Sequence, residues 1–152
     1  MAFSAPSLKG RALRLLSQRE HSRAELERKL AKHEEEPGTL AKALDELAAK
    51  DFISEPRVVA SVLHQRAARS GALRVKQELQ AKGIAPEAIA QAVAGLQETE
   101  VERATALWRR RFDAPPADAK ERAKQMRFLM ARGFSGAVVS KVLRSDFDEA
   151  DE

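Results

Sequence analysis

The chain contains no cysteine and no tyrosine. The first absence excludes a disulfide framework and every thiolate-bound metal. The second, with no long alternation of apolar and polar residues, removes the usual signal of β-strands. No apolar run reaches the roughly 18 residues of a membrane helix, and the first residues carry no leucine-rich segment. The chain therefore reads as cytoplasmic, neither secreted nor membrane-spanning. Its three histidines, His21, His33 and His64, are too scattered for a ligand set. There is no glycine-rich phosphate loop, no nucleophile set beside a base, and no carboxylate pair apart from helix surface charge. Neither a metal, a cofactor nor an enzymatic activity is expected.

What is present is helix. Alanine, leucine, glutamate, arginine and lysine dominate the 152 residues, and all are good helix formers. Charged residues make up 33% and apolar residues 43%, enough for a core under a large charged surface. The formal charge of +4 hides an asymmetry. From Thr99 to Ser145 there are eleven Lys or Arg against five Asp or Glu, whereas Asp146 to Glu152 carry five acids and no base. A basic segment beside an acidic tail points to a polyanion-facing surface. The tail is expected to compete with DNA for that surface.

A repeat organises the chain. Leu30, Leu79 and Leu129 close similar phrases 49 and 50 residues apart, the first of them Glu25-Leu26-x-x-Lys29-Leu30. After the second and third leucines come Ala81-Lys82-Gly83-Ile84 and Ala131-Arg132-Gly133-Phe134. A cation, a glycine and an apolar residue in that order stop a helix: the cation meets the last carbonyls, glycine turns left-handed, and the apolar residue folds back. The first copy has Lys32-His33-Glu34 instead, so a looser stop is expected there.

Each copy holds three helices. The pattern predicts them near Leu8–Arg19, from Ser22 onward, and over Thr39–Lys50 in the first copy. In the second they fall at Glu55–Ser70, Ala72–Lys82 and Pro86–Gln97; in the third, at Glu100–Phe112, Ala117–Arg132 and Ser135–Arg144. Ser22-Arg23-Ala24-Glu25 has capping-box spacing, Pro86 suits a first helical turn, and Ser135 suits an N-cap. Asp113-Ala114-Pro115-Pro116 breaks the third copy after its first helix. The expected fold is all-α: three tandem three-helix repeats at 8–53, 54–98 and 99–145, stacked into an elongated, curved array. A flexible start at 1–7 and an acidic tail at 146–152 flank them. A lone unit of about 45 residues buries little surface and is marginal, so a stacked array is expected.

These phrases, in this order, resemble the RecX family. Ser22-Arg23-Ala24-Glu25-Leu26-x-x-Lys29-Leu30 is similar to its first repeat, and Leu47-Ala48-Ala49-Lys50-Asp51-Phe52-Ile53-Ser54 to its link into the second. Arg66-x-x-x-x-Gly71 with Glu78-Leu79-x-x-Lys82-Gly83-Ile84 resembles the middle repeat. Ala104-x-x-Leu107-Trp108-Arg109-Arg110-Arg111-Phe112 and Arg127-Phe128-Leu129-Met130-Ala131-Arg132-Gly133-Phe134-Ser135 resemble the third. The likeness runs from about residue 8 to 144. Val59 and Leu63, where aromatics are usual, and Glu34, where glycine is, depart from it. The resemblance implies a protein that lies along the groove of a RecA–DNA filament and damps its ATP hydrolysis, strand exchange and growth.

The candidate contact residues are basic. Lys120, Lys124 and Arg127 share a helical face, and Ala119, Ala123, Met126 and Met130 beside it are expected to form the core stripe. Arg109, Arg110 and Arg111 end the preceding helix, and arginine's planar fork suits phosphate and carboxylate. Arg132 follows on the helix stop. Arg66, Arg74 and Lys76 could continue the surface into the middle repeat. Trp108 reads as core, not as a platform for bases. The expected partners are the RecA filament and single- or double-stranded DNA, through non-specific phosphate contacts, with the chain itself a monomer. The rival reading is a helix-turn-helix-like general DNA-binding protein that needs no RecA. Base readout would need Arg, Asn or Gln on the last helix of a copy, and Gln91 and Lys141 are nearly all those helices offer.

Overall fold

The computed structural model describes residues 5–150, with side chains described over 5–144. Among these the chain is entirely helical. Repeat 1 comprises α1 (Leu8–Gln18), α2 (Arg23–Leu30), a 3-10 turn (Ala31–His33) and α3 (Thr39–Ala49). Repeat 2 comprises α4 (Glu55–Arg66), α5 (Ala72–Ala81) and α6 (Pro86–Gln97). Repeat 3 comprises α7 (Glu100–Arg111), α8 (Ala119–Ala131) and α9 (Gly136–Ala150). Ser22 and Glu25 form the expected capping box, and the Ser135 hydroxyl accepts the Val138 N–H at 3.3 Å. In repeat 3 two helix ends differ most from expectation. Asp118 caps α8 through the Glu121 N–H at 2.8 Å, so that helix starts two residues later than its pattern suggests. α9 continues past Arg144 to Ala150; the side chains of the acidic tail lie outside the described residues.

Three hydrophobic cores form, one per repeat. Ala12, Leu26, Leu30, Leu40, Leu44 and Leu47 make the first. Val58, Val62, Val75, Leu79, Ile84, Ile89 and Leu96 dominate the second. Leu107, Trp108, Leu129, Phe134, Val139, Val142 and Leu143 dominate the third. None of the three clusters draws a residue from another repeat, so the joints between repeats are made of something other than apolar packing.

That material is polar and lies on the middle helices. Gly83 (φ 70°) and Gly133 (φ 90°) end α5 and α8 in the left-handed conformation. The following Ile84 and Phe134 N–H groups reach back to the Leu79 and Leu129 carbonyls at 3.1 and 3.3 Å, the bond that closes such a helix end. Onto each glycine turn sits the first turn of the preceding repeat's middle helix. At the second joint the Gly71 N–H donates to the Arg132 carbonyl at 2.7 Å and the Leu73 N–H to the Gly133 carbonyl at 3.2 Å. The Ala72 N–H goes to buried Glu100 at 3.0 Å. Three amides that α5 leaves without an intrahelical partner are thus satisfied by repeat 3, where α2 and α8 satisfy theirs with Ser22 and Asp118. Arg103 completes the joint by donating to the carbonyls of Ala67 (2.6 Å), Ser70 (2.8 Å) and Leu96 (3.0 Å). This explains why α4 stops at Arg66 and not Ser70: the chain leaves the helix to meet repeat 3.

The first joint follows the same plan with charges. Gly83 lies under Ala24, Arg28 donates to the Ala81 carbonyl at 2.8 Å, and Lys82 pairs with buried Glu25 at 3.1 Å. Arg19 holds the other Glu25 oxygen at 2.8 Å. Lys82, expected merely to face the end of its own helix, is instead spent across the joint. Beside it His21 is buried, with Nδ1 3.1 Å from the Arg19 carbonyl and Nε2 3.1 Å from the Lys29 ammonium. A carbonyl needs a donor and an ammonium needs an acceptor, so these contacts fit only the neutral Nδ1–H ring. After α2 the first copy has Lys32-His33-Glu34 and no glycine. In that place Glu34 accepts the Leu40 N–H at 2.8 Å and caps α3.

Two expected outcomes follow from the joints. A methyl group at residue 133 would stand 2.5 Å from Arg74 Cβ and 2.7 Å from its backbone nitrogen, in a left-handed residue besides. Gly133→Ala should cost about 2 kcal/mol or more, a fall in Tm of several degrees by circular dichroism. Gly95→Ala, with nothing within 4 Å, should be neutral or gain about 0.5–1 kcal/mol. Equal Tm values for the two variants would contradict the seat assigned to Gly133.

Acid should loosen the first joint. Burial first, then the Arg19 and Lys29 charges, hold the His21 pKa below its ordinary 6.5. Burial opposes ionisation of Glu25, but hydrogen bonds from Arg19, Ser22 and Lys82 prevail and lower its pKa from 4.5 to about 2. In both cases the unfolded chain takes up the proton first. Stability should decline as the pH drops below 6.5, and again between 4.5 and about 2, the second step worth roughly 3 kcal/mol at most. Thermal melts of the wild type and of Glu25→Gln check this. The variant should lose the lower step, and an identical lower step in both would contradict the assignment.

Candidate nucleic-acid and filament interface

α8 presents three exposed basic residues, Lys120, Lys124 and Arg127. Its buried residues are Gln125 and Leu129, with Met126 and Phe128 packed against the repeat 3 core. At about 100° per residue this puts Lys120, Lys124 and Arg127 on the side opposite Gln125 and Leu129. All three are exposed, and among the described residues no acid pairs with any of them. The expected core stripe of Ala119, Ala123, Met126 and Met130 is corrected. Ala119 is exposed and Met130 is 51% exposed, while a glutamine occupies the centre of the buried face.

The reason is Trp108. Its indole is buried as expected, and its N–H donates to Gln125 Oε1 at 2.8 Å. The Gln125 amide donates in turn to the Ala114 carbonyl at 3.2 Å, in the Pro-rich loop before α8. A buried indole N–H without a partner would cost about 1–3 kcal/mol, so a polar residue on this face is favoured over a methionine. Hydrophobic periodicity is blind to such a pairing, which rotates α8 and thereby aims its basic face outward.

Aromatic contacts bring further cations to the same helix. Phe112, at the end of α7, meets Phe128 edge to face with ring centroids 5.3 Å apart. The Arg111 guanidinium lies 5.3 Å from the Phe112 centroid, and that of Arg132 lies 4.4 Å from the Phe128 centroid. The order guanidinium, ring, ring, guanidinium joins the end of α7 to the end of α8. Such contacts are worth about 0.5–1 kcal/mol each at exposed sites, and they hold arginine heads in place without neutralising them. Phe112 and Phe128 are thus positioning residues that a reading of cations alone does not find. An arginine followed by phenylalanine at 111–112 and a phenylalanine four residues before Arg132 are the available signal.

The remaining candidates divide. Arg74 reaches across the second joint to the Ala131 carbonyl at 3.3 Å, so repeat 2 adds a cation at the end of α8. Arg66 is paired with Glu78 at 2.9 Å, so its charge is compensated within repeat 2. Lys76 lies about 160° around α5 from Arg74 and lines a groove against α6 with Ile84, Ile89 and Val93. On the last turn of α7 Arg109 lies about 160° around the helix from Arg111, and Arg110 about 100° from each, so the three share no single face, and only Arg111 meets the aromatic pair. The structure therefore brings Arg74, Arg111, Lys120, Lys124, Arg127 and Arg132 to one helix, and leaves Arg66, Lys76, Arg109 and Arg110 elsewhere. The last helices of repeats 2 and 3 bury Ile89, Ala92 and Leu96, and Val139, Val142 and Leu143.

Comparison with known proteins gives one answer along the whole chain. Residues 9–47 match the first three-helix domain of RecX, 54–93 the second, and 98–143 the third. The regulatory protein RecX of Leptothrix cholodnii is 56% identical over 146 residues, 95% of this chain and 93% of that protein. That of Neisseria gonorrhoeae is 36% identical over 143 residues, 94% of this chain and 93% of its own. The crystal structure of RecX from Lactobacillus salivarius shares the fold, with a TM-score of 0.75 at 22% identity over 91% of this chain and 93% of that one.

Proposed function

The chain belongs to the RecX family of regulatory proteins, and from that premise we propose that it binds the filament of the RecA recombinase on DNA and mainly inhibits it. The steps affected are ATP hydrolysis, strand exchange and filament growth. It acts by binding, without chemistry of its own and without a cofactor, as a monomer in the cytoplasm. The observation that carries this reading is the outward basic face of α8, continued by Arg74 across a joint and by Arg111 and Arg132 around an aromatic pair. Lys120 to Arg127 span about 10 Å of helix, a line of charge matched to phosphates or acidic side chains on an extended partner. Contacts of this kind carry no sequence information, which suits a regulator that must act wherever a filament forms.

A general DNA-binding protein that needs no RecA is the second reading, and the apolar faces of α6 and α9 speak against its base-reading form. These helices spend one side on the core, and Gln91 and Lys141 are a thin set for the major groove. Electrostatic DNA binding remains compatible with both readings and should weaken steeply with salt.

The test is ATP hydrolysis by the cognate recombinase on single-stranded DNA while the protein is titrated in. The wild type should inhibit well below one copy per recombinase. Lys124→Glu/Arg127→Glu should raise the concentration for half-inhibition at least tenfold, and Lys76→Glu should change it little. Wild-type-like inhibition by the double variant would remove α8 as the contact. No inhibition by the wild type, with DNA binding intact, would favour the RecA-independent reading.

A further inference from the structure

Repeat 1 carries a second basic surface, at the other end of the array from α8 and built differently. A groove of about 460 Å³ runs between α1 and the end of α2. Arg11 and Arg14 line it from α1, Arg28 and Lys29 from the last turn of α2, and Lys32 and His33 from the 3-10 turn. Among the described residues no acid lines it, and its apolar wall is formed by Pro6, Leu15 and Leu30. These cations come from three segments 3 to 22 residues apart, a grouping that no single helical face reveals.

Of the five lysines and arginines, two are engaged elsewhere. Arg28 holds the Ala81 carbonyl at 2.8 Å, and Lys29 faces His21 at 3.1 Å. Arg11, Arg14 and Lys32 have no ion-pair partner among the described residues. The cations are close enough to act on one another: desolvation first, then the charges of Arg11 and Lys32, keep His33 below its ordinary pKa. A groove with uncompensated cations along its rim, and apolar side chains beneath, suits an anion that also has an apolar body.

We propose that this groove binds a single strand of nucleic acid, with its phosphates on Arg11, Arg14 and Lys32 and a sugar or base against Leu15, Leu30 and Pro6. Phosphate contacts from a cationic rim combined with apolar contact to the bases are the general mode of single-strand binding. A duplex keeps its bases stacked inside and offers such a groove only its backbone. The assignment does not rest on the filament reading, since it concerns a different repeat and DNA alone.

The test uses the full chain and a fluorescein-labelled oligodeoxythymidine, with fluorescence anisotropy read across a salt series and a labelled duplex of equal length as comparison. Arg11→Glu/Arg14→Glu should weaken oligodeoxythymidine binding about tenfold or more. The slope of log K against log salt should fall by about 1.4, near 0.7 for each single-strand phosphate that the variant no longer neutralises. Duplex binding should change much less. Binding is read on DNA alone, with no recombinase present, so failure here is separable from failure of the filament reading. Arg14 is exposed and Arg11 half-buried. An unchanged melt by circular dichroism establishes that the variant folds, and Arg11→Gln/Arg14→Gln serves if it does not. Unchanged affinity and slope, or an equal loss on the duplex, would overturn the proposal.

Discussion

A repeat of about 45 residues is marginal alone, so the arrangement depends on how one repeat holds the next, and here that is a helix start seated on a helix end. The first turn of a middle helix has N–H groups without partners, and the closing turn of the next repeat's middle helix has carbonyls in the same condition. At the second joint the two needs cancel directly, amide to carbonyl at Gly71 and Leu73. The contact demands close approach. A Cβ on Gly71 would stand 2.4 Å from the Gly133 oxygen, and one on Gly133 2.5 Å from Arg74. Glycine at both positions is therefore a requirement of the joint as much as of the turn.

Because the cores stay separate, the joints are electrostatic, and that couples architecture to function. Arg103, Glu100, Glu25, Lys82 and Arg28 are engaged between repeats or against backbone carbonyls, while Lys120, Lys124 and Arg127 are left exposed. Some basic residues build the array and others stay exposed, a distinction that net charge hides. The joints also fix the spacing between the α8 face and the groove in repeat 1. On the two proposals above, an extended polyanion or filament would meet both surfaces at one set distance only while the joints hold.

The helices, their order and most caps are legible in the sequence because periodicity, capping residues and glycine stops are local signals. Ser22, Ser135, Pro86 and Gly133 each act on their own few neighbours. What escapes such signals depends on other repeats. Gly83 and Gly133 read as stops but not as seats, since nothing local tells that Ala24 or Arg74 will press on them. Lys82 reads as a helix-end cation, yet its partner Glu25 lies 57 residues away. The facing of α8 defies its apolar pattern because Gln125 is buried for the sake of Trp108, a pairing that no such pattern contains. The groove in repeat 1 is hidden for the same reason, its cations converging only after α1 and α2 pack.

The head-to-tail joint is most directly tested by amide hydrogen exchange at Gly71 and Leu73. Neither amide bonds within its own repeat, and both donate only to carbonyls of repeat 3. If the joint holds in solution, both should be protected to a degree approaching the core amides of α5, such as Leu79, and Gly133→Ala should selectively speed their exchange. Exchange at the rate of exposed loop amides in the wild type would mean that the repeats are tethered but not seated, and the account of a fixed spacing would fail.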